Sequence, residues 1–234
     1  MTKNTPPDTA PLPRWAETVR RKYIGGEASM FVLHHNVFDE ILYAGKYYSL
    51  VDFLAQVLLA ANKQTILVYD PSAGARYAKR SASTGASEKP LAADKPAEEA
   101  LAAIEQEILL RNSAALIVPY AGSLAPPGDE SMLSHADRMA AIRLHRWSMS
   151  PELESKDNVV FLLAESLVEL HPRIVSNPRV AAVEVPLPDL EERMAVIRQV
   201  DPSIDSVHVT RLAGTCTSTR AGRSRLIRSN RSTI

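Results

Sequence analysis

The chain alternates short apolar runs with amphipathic stretches, and this alternation restricts it to one kind of architecture. The runs are 29–34 (SMFVLH), 65–69 (TILVY), 114–118 (AALIV), 158–164 (NVVFLLA) and 180–185 (VAAVEV). Asp70-Pro71 stops the second and Pro119 ends the third. Short runs rich in Val, Ile and Leu, without a regular polar face, read as strands buried on both sides. The segments between them carry helical spacing. In 50–61, Leu50, Phe53, Leu54, Val57, Leu58 and Ala61 fall on one face, and Ser49 stands as the N-cap. The 97–111 stretch is rich in Ala, Glu and Leu. Ser134 with Asp137, and Asp189 with Glu192, have the spacing of capping boxes that open helices at 134–147 and 190–200. A short basic helix is expected over 15–23. Strands separated by helices pair in parallel through right-handed crossovers, so the fold class is α/β, a layered α/β/α sheet. Ligands of such sheets bind at the carboxyl ends of the strands. The loops after Tyr69, Val118 and Ala164 are therefore the ones to inspect.

Composition bounds the remaining choices. With 234 residues, 45% of them hydrophobic, the chain holds one large domain or two small ones. Its one cysteine, Cys216, excludes an internal disulfide and a cysteine-based metal site. A reducing, cytoplasmic setting fits that usage. No apolar run approaches the roughly 18 residues that span a bilayer. Residues 1–14 are polar and Pro-rich, lack a signal-peptide core, and read as a disordered leader. Residues 81–96 (SASTGASEKPLAADKP) read as a mobile loop. Net charge is zero but uneven. Residues 206–234 hold six arginines and no acid, which leaves 21 bases against 27 acids in 1–205, a net of −6. That balance argues against specific nucleic-acid binding by the main body. The His34-His35 pair with Asp39 lacks a third ligand at matching spacing and reads as structural. His135, His145 and Arg146 read as one solvated helix face.

Three phrases are more specific: NVVFLLAES, then HPRIVSNPR, then VEVPLPDLEER. Together they resemble the second half of an AAA+ ATPase core, and with the upstream strands the resemblance covers roughly 60–200. FVLHHNVFDE, SLVDFLAQVLL, ILVYDPSAG and LHRWSMSPELESKDNVV resemble the leading half of a group of bacterial AAA+ proteins. In that group a degenerate first domain precedes an intact ATPase domain, which this sequence is expected to lack. The resemblance implies a sheet of P-loop NTPase type over 15–200 and an incomplete helical lid with a basic, disordered tail over 201–234.

It also says where chemistry belongs. The family's P-loop, Gly-x-x-x-x-Gly-Lys-Thr, follows the first core strand and wraps the phosphates with backbone N–H groups. With 65–69 taken as that strand, the matching residues are Asp70, Ser72, Gly74 and Arg76, a loop with one glycine and no lysine. The acidic motif would follow 115–118, where Pro119 and Tyr120 replace the Mg²⁺-holding and water-polarising carboxylates. The polar sensor position falls at Glu165 or Ser166, with Ser166 the residue that could hold a water, and Arg179 stands where the resemblance puts an arginine finger acting in trans. No catalytic residue and no metal ligand is expected. ATP or ADP would bind weakly or not at all, without Mg²⁺.

The expected role is thus a non-hydrolysing AAA+-like domain, a scaffold or regulatory half of an ATP-driven remodelling assembly. Its partners would be copies of itself or another AAA+ subunit. A working ATPase with atypical motifs and a non-nucleotide interaction module are the rival readings. After Thr215 helical periodicity stops (CTSTRAGRSRLIRSNRSTI), which suggests either a shifted reading frame or a basic tail that binds anions nonspecifically.

Overall fold

The computed structural model describes residues 10–80, 95–129 and 131–219. The leader before residue 10, most of the expected mobile loop and the tail beyond 219 lie outside the described residues. The elements run in chain order as α1 (Arg14–Ile24), β1 (Met30–His35), β2 (Glu40–Tyr43), β3 (Lys46–Ser49), α2 (Leu50–Phe53), β4 (Thr65–Asp70) and β5 (Gly74–Lys79). They continue as α3 (Ala97–Leu110), β6 (Ala114–Val118), α4 (Ala121–Leu124), α5 (His135–Ser148), α6 (Pro151–Ser155), β7 (Val159–Ala164), α7 (Pro172–Val175), β8 (Val180–Val185), α8 (Leu190–Val200) and α9 (Ser206–Thr215). Both capping boxes form: Ser134 with Asp137 at α5, and Asp189 with Glu192 at α8.

The described residues fall into two compact units. The larger takes 15–37 and 51–185. It is a six-stranded sheet in the order β5-β4-β6-β7-β1-β8. All five expected strands are present, and every pairing is parallel except β4 with β5. The fold is therefore the expected α/β sheet with an antiparallel edge strand added. One face packs Met30, Val32, Leu67, Leu116, Leu162 and their neighbours under α3, α4, α5 and α7. Alternate residues, among them Phe31, Leu33, Ile66, Ile117 and Phe161, point to the other face. The crossover from β1 to β4 runs opposite in sense to those that follow, so right-handedness places α2 on that other face.

Three features depart from the sequence expectation. The 50–61 helix is shorter: α2 passes into a π-helical turn, Leu54–Leu58, closed by Leu59 N–H on the Leu54 carbonyl at 2.9 Å. The strand β5 follows β4 directly, because Asp70 closes a tight turn in which Gly74 adopts φ 82°. The hairpin β2–β3 turns through Ala44 and Gly45 at φ 48° and 76°. These are the left-handed pair of a type I′ turn, without the Asn-Gly that signals it in sequence.

The smaller unit takes 10–14, 38–50 and 186–219 among the described residues. Its helices α8 and α9 bury Ile197, Val209 and Ala213 against one another. Past Thr215, Cys216 and Thr219 are buried.

Candidate functional site

Strand order decides where a ligand site would lie. The strand β1 sits between β7 and β8. From β1 the chain crosses back past β7 and β6 to β4, whereas from β7 it crosses forward to β8. Neighbouring connections thus diverge between β1 and β7, the switch point at which such sheets open a crevice at their carboxyl ends. His34 stands there in register with Ala164 and Glu184. His35 ends β1, and Asn36, Glu165 and Ser166 follow in the loops.

The backbone at this point faces its own sheet. His35, held at φ 79°, donates its N–H to the Glu165 carbonyl at 3.0 Å. Asn36 N–H donates to the Val185 carbonyl at 3.1 Å, and Val37 N–H to the His35 carbonyl at 3.0 Å. A phosphate-binding loop keeps such groups turned toward its anion, and here three in succession are already engaged. The charges oppose an anion too. Glu165, Glu169 and Glu184 gather at these strand ends, and Glu169 Oε2 accepts the Glu165 N–H at 3.3 Å. Burial holds the His34 imidazole below its ordinary value; Glu184 draws it back up in part, and His35 pushes it down again. That shift favours the neutral imidazole over the cation.

The first strand of the sheet in chain order is β1, and the segment at its end, 35–39 (HNVFD), has neither glycine nor lysine. Asp70, Ser72, Gly74 and Arg76 form the β4–β5 hairpin at the sheet edge, where β4 stands two strands from β7 and three from β1. Asp70 Oδ1 accepts from Ser72 N–H at 2.8 Å and Ser72 Oγ at 2.7 Å. A strand follows that turn, so no helix N-terminus points into it.

Pro119 and Tyr120 do end their strand, β6, beside β7. Tyr120 takes a left-handed φ of 56° and is half-exposed as α4 begins. Ser166 caps the short 3-10 turn Leu167–Glu169, its Oγ accepting Val168 N–H at 3.4 Å. The turn lies hard against α4: a Cβ on Gly122 would stand 2.9 Å from Glu169 Cβ and 3.1 Å from its carbonyl oxygen. The Gly122→Ala variant is expected to cost about 1–3 kcal/mol through that overpacking, read as a lowered thermal midpoint.

Arg179 lies elsewhere. It precedes β8, at the amino ends of the strands, and is not brought together with Ser166, Pro119 or Tyr120. Its guanidinium meets Glu154 at 3.4 Å, with both side chains half-exposed. Asn177 Oδ1 holds the Arg179 N–H at 3.0 Å. An exposed pair of this kind contributes about 0–1 kcal/mol, which leaves the guanidinium available to a partner. Among the described residues no group of three or more His, Cys, Asp or Glu side chains is placed to hold a metal ion. Nor, among them, is any helix long and apolar enough to cross a membrane. Sequence reasoning passed over the switch-point residue Asn36 and read His35 as structural. The signal for them was present: 29–34 is the apolar run nearest the N-terminus, but no glycine marks its end.

Comparison with known proteins places this architecture. Residues 6–186 match the family described as the AAA+ chaperone, N-terminal Rossmann-like domain. No curated protein matches the chain. Among solved structures, it is similar to one titled as the structure of the E. coli MS115-1 HORMA:CdnC:Trip13 complex. The match covers 92% of this chain and 73% of that one at 14% identity, with a TM-score of 0.60. At that identity the likeness is one of fold.

Proposed function

We propose, from the premise that this chain belongs to the family of AAA+ chaperone N-terminal Rossmann-like domains, that it is a non-hydrolysing member of an ATP-driven remodelling assembly. It serves that assembly as a scaffold or regulatory half. The observation that carries this reading is the engagement of the His35, Asn36 and Val37 N–H groups within the chain itself, at the strand end where phosphates would be wrapped. Pro119 and Tyr120, at the end of β6, offer no carboxylate for Mg²⁺ or for a water. ATP and ADP then bind weakly or not at all, and Mg²⁺ has no protein ligand.

The partners are proteins: further copies of this chain or another AAA+ subunit. A protein of similar fold was solved in a complex with other chains, which supports looking for such partners. Arg179, exposed and only loosely paired, is the residue proposed to reach a neighbouring subunit's phosphates. The proposed setting is bacterial and cytoplasmic.

Calorimetry with ATP, with and without Mg²⁺, tests the reading. No Mg²⁺-dependent heat is expected up to millimolar nucleotide. Micromolar binding that requires Mg²⁺ would overturn it in favour of an ATPase with atypical motifs.

A further inference from the structure

The hairpin β2–β3 follows β1 in the chain, yet it belongs to the compact unit of α8 and α9. Side chains hold it there at both ends. At its tip, Gln199 Nε2 on α8 donates to the Gly45 carbonyl at 2.6 Å. At its foot, the buried Asp39 accepts Thr219 N–H on Oδ2 at 2.9 Å, across 180 positions of sequence. Tyr43 OH, between them, donates to the Ala10 carbonyl at 2.5 Å. The two anchors bracket the helix pair, one within α8 and one just beyond α9.

That pair has little to hold it otherwise. Among the described residues its shared buried cluster is Ile197, Val209 and Ala213, with Met194, Val200, Ile204 and Leu212 packed around them. Arg193 adds two bonds, to the carbonyls of Ala213 at 2.9 Å and Pro188 at 2.5 Å. Two short helices with so small a core are marginal by themselves. We propose that the β2–β3 hairpin is a built-in clamp that keeps the α8–α9 lid ordered without any ligand. This rests on the reading that the domain takes no nucleotide. Lid order is then a fixed property of the chain, and a partner meets the lid already formed.

Hydrogen exchange on the full chain tests the clamp. Asp39→Ala is expected to speed exchange over 190–219 by about tenfold, the effect of losing one hydrogen bond to a charged group, while β6 and β7 stay protected. Asp39→Asn keeps an acceptor oxygen and should retain most of the protection. Gln199→Ala, at an exposed side chain, should speed exchange in α8 and at the hairpin tip by roughly threefold. ATP with Mg²⁺ should change none of these rates. If Asp39→Ala unfolds the sheet as well, Gln199→Ala decides. Wild-type protection in Asp39→Ala and Gln199→Ala, or equally fast exchange in Asp39→Asn and Asp39→Ala, overturns the clamp. Unchanged variants with no ATP binding by calorimetry overturn it alone. Lid protection that arises only when ATP is added overturns both the clamp and the non-hydrolysing reading.

Discussion

Asn158→Ala is expected to destabilise the larger unit by about 3 kcal/mol and to lower its thermal midpoint by roughly 6–12 °C, followed by circular dichroism. The side chain is buried immediately before β7 and satisfies three backbone groups. Its Oδ1 accepts Ala114 N–H at 2.7 Å. Its Nδ2 donates to the carbonyls of Ile108 at 3.0 Å and Arg111 at 3.1 Å. One amide thus joins the C-terminus of α3 to the first residues of β6 and β7. Alanine would strand the Ala114 N–H in a dry site, which is the larger loss. The carbonyls lose less, because Ile108 also accepts Arg111 N–H at 3.1 Å. Asn158→Asp separates the contributions. It keeps the acceptor for Ala114 but sets a carboxylate against two carbonyl oxygens. At neutral pH it should be at least as damaging as alanine, and it should recover part of its stability below about pH 4, where the acid can protonate and donate. A midpoint within about 2 °C of wild type for Asn158→Ala would show that water replaces the amide and that this junction is not dry.

What the sequence disclosed and what it hid have separate physical causes. The five parallel strands were legible because burial on both faces demands unbroken apolar runs, and Ala114–Val118 and Val159–Ala164 are buried throughout. The capping boxes at Ser134 and Asp189 were legible because capping is a local, three-residue geometry. Strand order was not. Whether Met30–His35 or Thr65–Asp70 lies beside β7 depends on pairings over more than a hundred residues, such as Leu33 with Leu163 and Val183. The loop Asp70–Gly74 looked like a degraded phosphate loop because it has the right punctuation, a strand followed by Pro, Ser and Gly. Its role as a hairpin turn is set by the antiparallel partner β5, whose residues GARYAK carry too much charge to announce a strand. At the switch point the informative atoms are backbone N–H groups. They have no residue type, so no motif could have shown that those of 35–37 were engaged. Ser166 and Arg179 came out at a strand end and a strand start, as their positions in the chain implied, and so at opposite ends of the parallel strands.

The second large effect concerns the ammonium of Lys63, whose side chain is 2% exposed, beneath an Asp157 that is 58% exposed. Nζ lies 2.9 Å from Asp157 Oδ1 and donates to the Asp157 carbonyl at 2.5 Å and to Tyr23 OH at 2.6 Å. Tyr23 OH in turn donates to Asp157 Oδ1 at 2.5 Å, and Ser113 Oγ to Oδ2 at 2.8 Å. The two sides of the pair are unequal, so their removal should be unequal. Lys63→Met leaves a carboxylate that water can reach, and it should cost no more than about 1–2 kcal/mol. Asp157→Asn leaves a buried cation without its counter-charge, and about 2–4 kcal/mol is expected. Asparagine is the informative replacement, because residue 157 sits at φ 56° and asparagine tolerates that conformation where alanine adds strain. The pH dependence supports the same division. Burial pushes the Asp157 carboxyl up, but hydrogen bonds from Tyr23, Lys63 and Ser113 and the charge of Lys63 outweigh it and hold the group below its ordinary value. A carboxyl depressed in the folded state binds fewer protons than the unfolded chain, so its contribution is complete above the unfolded value near about 4 and is lost as pH falls through the lower folded value. Wild type should therefore lose stability across that acid window, and Asp157→Asn should lack this part of the loss. Equal destabilisation by Lys63→Met and Asp157→Asn, with identical acid limbs, would mean that the ammonium is solvated in solution and that the pair behaves as a surface ion pair.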